Sequence, residues 1–172
     1  MTLLCAALLC AASTHAELFV DLGVHTTRVE ADIATLAVKP TSTESGLHVG
    51  VGLRRALRGR GEIGARLELD NVDSDLLLAV RAFDYRFWRS ERFALGAFIG
   101  AARLDLATPA YGYYLGGGVH LKELLPGWDL SAELRYGDKI ARDNLLPSDP
   151  QGGRPDNFYD LSGISVYFSR RF

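Results

Sequence analysis

Residues 158–172 read FYDLSGISVYFSRRF, and this stretch decides how the rest of the chain is interpreted. From Phe172 back to Ile164, every second residue is apolar except Arg170, and these apolar residues are Ile164, Val166, Phe168 and Phe172. The alternate positions hold mainly small or polar residues. Because successive side chains of a strand point to opposite faces, the pattern predicts a β-strand with one apolar face.

The same alternation recurs through most of the chain. It predicts seven further strands, at residues 17–28, 45–56, 61–70, 75–87, 92–103, 111–122 and 128–137. No helical periodicity accompanies them. The sequence therefore predicts an all-β fold with eight antiparallel strands.

The segment 75–87 is ambiguous, because its apolar face changes parity part of the way along. A β-bulge near Phe83 resolves the change, since one extra residue shifts the alternation by one position. The other possible register would place Arg81 on the outer face, where exposure to lipid costs roughly 2–4 kcal/mol. The bulged strand is the preferred prediction.

Residues 1–16 contain an apolar run from Leu3 to Ala12, followed by the small-residue cleavage pattern Ser-Thr-His-Ala. We interpret residues 1–16 as a signal peptide and residues 17–172 as the mature barrel domain. Both cysteines lie in the predicted signal peptide, so the mature chain would carry no disulfide. The 19 Lys and Arg residues nearly balance the 21 Asp and Glu residues, and no basic patch suggests nucleic acid as a partner.

Two architectures fit eight alternating strands in a secreted chain: an up-and-down transmembrane β-barrel, or a lipocalin-like barrel with an apolar interior. The polar parity is rich in Gly and carries isolated opposite charges, which suits a narrow polar interior. The apolar face would then point outward into lipid. The residues predicted to form a paired structural network in this lumen are Arg54, Arg66, Glu68, Arg81, Glu133 and Arg135.

The C-terminal stretch resembles the last strand of bacterial outer-membrane β-barrels, where a terminal Phe and alternate apolar residues form the signal read by the assembly machinery. On this resemblance the assembly signal is Ile164, Val166, Phe168 and Phe172. Arg170 departs from the pattern. By pattern, the whole mature chain resembles small OmpA/OmpX-type barrels. The resemblance implies the outer membrane of a Gram-negative cell, contact with its lipid and lipopolysaccharide, and a monomer.

Aromatic residues and connection lengths favour the same architecture. One predicted barrel end carries Phe19, Tyr85, Phe87, Trp88, Phe93, Trp128 and Phe172, and the other carries Tyr111, Tyr113, Tyr136, Phe158 and Tyr159. Two such groups are typical of the aromatic girdles of membrane barrels. Short connections at 57–60, 88–91 and 122–127 predict periplasmic turns, and longer segments at 30–44 and 138–157 predict outer loops.

The residue types needed for catalysis or metal binding do not converge in the sequence. His25, His48 and His120 share the inward parity but lie towards different barrel ends, so neither a metal site nor another cofactor is expected. A lipid A deacylase needs a Ser, a His and an acid within reach of one another, yet residues 136–144 contain neither Ser nor His.

An eight-stranded barrel is only wide enough for its own side chains, which argues against a sizeable pore. The sequence therefore favours a non-enzymatic barrel with a structural or surface-interaction role. A lipid A-modifying enzyme and a narrow channel are the alternatives.

Deleting Phe172 is expected to lower the abundance of the protein in the outer membrane more than any single change in the predicted outer loops. The reason is that the terminal aromatic residue and the alternation before it would be recognised during assembly. Quantitative immunoblotting of outer-membrane fractions measures the effect. Unchanged abundance of the deletion variant would contradict the assignment of the signal.

Overall fold

The computed structural model describes residues 16–33, 39–72, 75–104, 110–142 and 157–172. Eight antiparallel strands follow one another in chain order, and β8 pairs with β1 to close a barrel. The strands are β1 (Ala16–Ile33), β2 (Thr41–Ala56), β3 (Gly61–Val72), β4 (Asp75–Trp88), β5 (Phe93–Leu104), β6 (Ala110–Leu125), β7 (Trp128–Arg142) and β8 (Asn157–Arg171). The predicted eight-stranded antiparallel barrel is confirmed. Apart from Ala16, which begins β1, the predicted signal peptide lies outside the described residues.

The two ends of the barrel differ in how the strands are connected. At the turn end, where β2–β3, β4–β5 and β6–β7 are joined, the connections are short, and the first and last strands also meet there. Gly59 and Gly127 have φ values of 92° and 76° in two of these turns, a conformation that glycine adopts without strain. The other end is the loop end. The described residues contain no helix long and apolar enough to cross a membrane.

Alternation sorts the side chains into an apolar outer face and a polar lumen. On β2, Leu47, Val49, Val51 and Leu53 are exposed on the outer face. The residues of the opposite parity, from His48 to Arg54, are buried. This arrangement is the reverse of a soluble barrel, in which apolar side chains fill the interior. The outer face is therefore matched to an apolar surrounding.

Strand β4 contains the predicted bulge. Its pairing with β5 shifts between Arg81 and Phe83, and the pairing of β3 with β4 shifts between Gly64 and Arg66 on the opposite side. Ala82 and Phe83 both face outward as a result, while Arg81 is buried. The extra residue lets the strand keep its charged side chains inside along its whole length.

The prediction of the aromatic girdles is wrong for Phe19, Trp88 and Tyr159, which lie on the inward parity of their strands: Trp88 is paired with buried Ala94, and Tyr159 with buried Ile140. Phe19 is only 1% exposed and faces the lumen, where its ring lies beneath the guanidinium of Arg54 at 4.5 Å. Gly52 on the neighbouring strand makes this position possible, because a Cβ atom there would overlap the Phe19 ring. Phe19 has the inward parity of β1. It was assigned to the girdle from its position near the strand end, whereas its parity predicts the lumen face on which it lies.

The lumen is polar in its middle and apolar towards the loop end. An apolar cluster packs there between the walls formed by β3 to β8, and its larger members are Val72, Leu77, Phe98, Leu104, Tyr114, Ile140 and Leu161. A void in this cluster has a volume of about 10 Å³, near the minimum for a single water molecule. The apolar cluster was not predicted from the sequence.

Leu67→Arg is expected to destabilise the barrel in a bilayer by roughly 2–4 kcal/mol, the cost of Arg on the lipid face near the midplane. Leu67 is 49% exposed, and its partners across the neighbouring strands are Val51 and Val80. Denaturant unfolding in lipid vesicles measures the change.

Leu57→Arg is the matched control, because Leu57 is also exposed but lies at the β2–β3 turn. The control is expected to be close to neutral. Equal effects of the two substitutions would contradict an outward apolar belt.

Candidate functional site

The centre of the lumen holds a mid-lumen network, consisting of Asp21, Arg66, Glu68, Arg81 and Glu133. The carboxylate of Glu133 accepts hydrogen bonds from Arg66 Nη2 at 2.9 Å and from Arg81 Nη2 at 2.6 Å. Glu68 lies 2.8 Å from Arg66 Nη2 and 2.7 Å from Arg81 Nη2. Glu68 and Glu133 therefore each contact both Arg66 and Arg81, so that carboxylates and guanidiniums alternate around a ring of four side chains.

Strand geometry explains why this ring forms. Arg66 and Glu68 lie two residues apart on β3, so both point inward, and Arg66 is directly paired with Arg81 of β4. Two adjacent guanidiniums repel each other unless an anion lies between them. Glu133 supplies that anion from β7, across the lumen.

Two buried tyrosines complete the hydrogen bonding of the glutamates. The hydroxyl of Tyr114 donates to Glu68 at 2.7 Å, and that of Tyr167 donates to Glu133 at 2.6 Å. The Tyr167 ring also lies 4.8 Å from the guanidinium of Arg66. Neither tyrosine was among the predicted site residues, although both lie on the inward parity of their strands.

A loop-side cluster lies above the network, formed by His25, Thr27, His48, Asp70 and Arg135. Arg135 donates to Asp70 through Nη1 and to Thr27 at 3.0 Å through Nη2. His48 Nδ1 lies 2.6 Å from the Asp70 carboxylate, and His25 Nδ1 lies 2.9 Å from the Thr27 hydroxyl. Arg135 thus pairs with an aspartate that was not among the predicted residues, and not with either glutamate.

A turn-side pair lies below the network. Arg54 donates to Asp84 at 2.8 Å, and its Nε lies 3.9 Å from Glu62. Asp84 faces inward because the bulge of β4 comes before it. The predicted bulge implies this face, but Asp84 was not among the predicted network residues. The six predicted lumen residues are all buried, and the structure distributes them over three adjoining groups, which approach one another at Arg81–Asp84 (3.9 Å) and His48–Glu68 (4.0 Å).

Arg86 is a buried charge that the sequence reasoning did not select. Its side chain is 0% exposed, and none of its three guanidinium nitrogens has a hydrogen-bond partner among the described residues. Counted over the same residues, buried Arg54, Arg66, Arg81, Arg86 and Arg135 face six buried carboxylates: Asp21, Glu68, Asp70, Asp84, Asp129 and Glu133. The lumen as a whole is therefore close to neutral, which lowers the cost of burying Arg86.

Ser131 and His120 form a hydrogen-bonded pair that was not predicted, because only residues 136–144 were considered for a motif of His and Ser. Ser131 Oγ lies 2.8 Å from His120 Nδ1, and the other ring nitrogen lies 3.9 Å from Glu133. These are the residue types of a hydrolytic triad. Ser131 is 0% exposed, however, and the Glu133 carboxylate is already bound by two arginines. The Ser131 hydroxyl is therefore enclosed by the other side chains of the lumen.

The histidines lie where their parity suggested. His25 and His48 are on the loop side and His120 is on the turn side, and all three are buried. Among the described residues, no group of three or more His, Cys, Asp or Glu side chains is arranged to hold a metal ion.

The barrel shares its fold with known outer-membrane barrels. The structure of Neisserial surface protein A superposes with a TM-score of 0.54 at 13% identity, covering 92% of this chain and 100% of that chain. Ail, the attachment invasion locus protein of Yersinia pestis, gives a TM-score of 0.55 at 11% identity, covering 91% and 99% of the two chains.

Ail was also solved in complex with the heparin analogue sucrose octasulfate, and that structure gives a TM-score of 0.51 at 12% identity. Neither a protein-family model nor a curated protein sequence matches this chain. At such low identities the similarity concerns the fold. The chain has the closed antiparallel fold of small eight-stranded outer-membrane barrels.

Glu133→Ala is expected to lower the free energy of unfolding by roughly 3–5 kcal/mol, the usual effect of removing one partner from a buried ion pair. The substitution removes one of the two carboxylates that lie between Arg66 and Arg81, so that Glu68 alone faces both guanidiniums. Reversible urea unfolding in lipid vesicles, followed by tryptophan fluorescence, measures the loss.

Glu91→Ala is the control, since Glu91 is exposed in the β4–β5 turn. It removes the same side chain without disturbing the lumen and is expected to be nearly silent. Equal stabilities of the two variants would show that the mid-lumen network does not stabilise the barrel.

Proposed function

We propose that this chain is a non-enzymatic barrel of the outer membrane, with a structural or surface-interaction role. The observation that carries the proposal is the reversal of the usual faces: charged side chains are buried in the lumen, and apolar side chains cover the outside. Such a surface is unfavourable in water and favourable in lipid. The fold shared with Ail, an outer membrane protein, supports the same location.

The lengths of the strands support a surface role. A transmembrane strand needs about 9–11 residues, whereas β1 has 18 and β2 has 16. Along β1 the outward side chains are apolar from Leu18 to Val24 and then polar at Thr26, Arg28 and Glu30. The loop end of the barrel would therefore project beyond the bilayer.

This projecting part carries charges that a partner can contact. Lys39 lies 3.0 Å from Asp32 and 3.9 Å from Glu30, and all three side chains are at least one-third exposed. Outer-membrane lipid and lipopolysaccharide are the partners that fit this position. The predicted outer loop at 138–157 lies largely outside the described residues, so its contribution remains a prediction.

Two further elements of the proposal concern assembly. The C-terminal residues Ile164, Val166, Phe168 and Phe172 are exposed on the outer face of β8, where the assembly machinery could read them. A monomer suffices for this role, because the barrel closes on itself and leaves no strand edge unpaired.

Fractionation of a Gram-negative host that expresses the full chain tests the proposal. The protein is expected in the outer membrane, with slower electrophoretic migration after heating than before. Lipid A analysed by mass spectrometry is expected to be unchanged by expression, and planar bilayers are expected to show no discrete conductance steps.

Each measurement has an outcome that overturns one part of the proposal. Recovery in the soluble periplasm would remove the membrane assignment. A new lipid A species would show an enzyme, and reproducible single-channel steps would show a narrow channel.

A further inference from the structure

Arg170 is the residue that departs from the apolar alternation of the last strand, and its surroundings are specific. It is exposed on the outer face of β8 near the turn end. Its guanidinium carbon lies 5.7 Å from the centre of the Trp128 ring and 5.5 Å from the centre of the Phe172 ring. Both distances are within the range of cation–π attraction. The charge is therefore held against two aromatic rings.

The adjacent Arg171 shows that this arrangement is not a general property of the strand end. Arg171 has the opposite parity and pairs with Glu17, Glu62 and Asp129 at 3.2 to 3.3 Å. Arg170 has ring contacts and, in the described part of the chain, no carboxylate partner. Its hydrogen-bond donors therefore remain free for a ligand outside the protein.

The position of Arg170 restricts what that ligand is. Tryptophan at the edge of a transmembrane segment lies at the level of the lipid head groups, and a long Arg side chain reaches the same level. The exposed charged residues of the turn end as a whole are mainly basic, with Arg55, Arg58, Arg60, Arg89, Arg92 and Lys122 against Glu17, Glu91 and Glu123, and the turn that adjoins β8 carries Lys122 and Glu123. A ligand at this surface meets a positive field and is favoured if it is an anion.

We propose that Arg170, Trp128 and Phe172 form a binding site for the phosphodiester head group of an anionic phospholipid, an inference that rests on the proposed membrane location. The planar guanidinium can donate two parallel hydrogen bonds to phosphate oxygens, while the rings contact the glycerol and upper acyl region. A zwitterionic head group is less favoured, since its ammonium would lie close to the positive charge of Arg170. The occupied leaflet is the one that meets the turn end.

The chain provides its own reporter for this site. It contains two tryptophans, so Trp88→Phe leaves Trp128 as the single fluorophore. The full chain carrying this change is inserted into phosphatidylcholine vesicles that contain equal fractions of either brominated phosphatidylglycerol or brominated phosphatidylcholine. Bromine quenches tryptophan only when the lipid is adjacent, so the ratio of quenching measures lipid preference at Trp128.

A preference of about fivefold for phosphatidylglycerol is expected, as for one Arg attracting an anionic lipid. Arg170→Gln is expected to bring the ratio close to one. Arg58→Gln is the matched control, because it removes an exposed charge of the same turn end without touching the rings, and it is expected to retain most of the preference.

The outcomes separate the site from the membrane assignment. Equal quenching by both brominated lipids in the parent would overturn the site while leaving insertion intact. Absence of quenching by either lipid would overturn the proposed function itself. If Arg170→Gln does not fold, Arg170→Lys decides: it keeps the charge but loses the paired donors, and an undiminished preference would overturn the role of the guanidinium.

Discussion

The carboxylate of Glu133 connects β7 to three other strands through Arg66, Arg81 and Tyr167. Backbone hydrogen bonds close any eight-stranded barrel, and the outward side chains have lipid as their neighbour, so neither selects one internal arrangement. The side chains of the lumen select the internal arrangement, because a buried charge is unfavourable until its partner is in place. The position of opposite walls therefore depends on a small number of charged contacts near the middle of the barrel.

The sequence predicted the fold well for a specific reason. Which face a side chain occupies depends on the period of two, and this period can be read locally. The bulge near Phe83 was found by the same rule, because Arg81 and Asp84 lie three residues apart and can both face inward only with an extra residue between them. The up-and-down order of the strands was predicted from eight consecutive alternating segments, most of them joined by short connections.

The partners inside the lumen could not be predicted in the same way. Alternation shows that a residue faces inward, but its height in the barrel depends on strand tilt and stagger. Arg135 was grouped with Glu68 and Glu133, whereas stagger places it beside Asp70. The apolar cluster at the loop end was missed for a related reason: inward parity was treated as polar, although Leu77 and Leu104 share it. Phe19 is the corresponding case at the turn end, because it is an apolar residue of inward parity that lies in the lumen.

Residue types that are common in active sites can act on a substrate only where the substrate can reach them. Ser131 and His120 are hydrogen-bonded, yet both lie in a lumen packed with side chains. The surfaces available to other molecules are the outer face and the two ends, and these differ in character. The loop end projects polar strands, and the turn end presents arginines near aromatic rings.

The bulge at Ala82 and Phe83 also affects how this chain can be compared with, or recombined with, other barrels. Counting in twos along β4 gives the correct face on each side of the bulge but the opposite face across it. An alignment that allows no one-residue gap here would equate lumen positions of this strand with lipid positions of an unbulged one. A hybrid barrel that exchanges hairpins must therefore take both halves of β4 from the same parent.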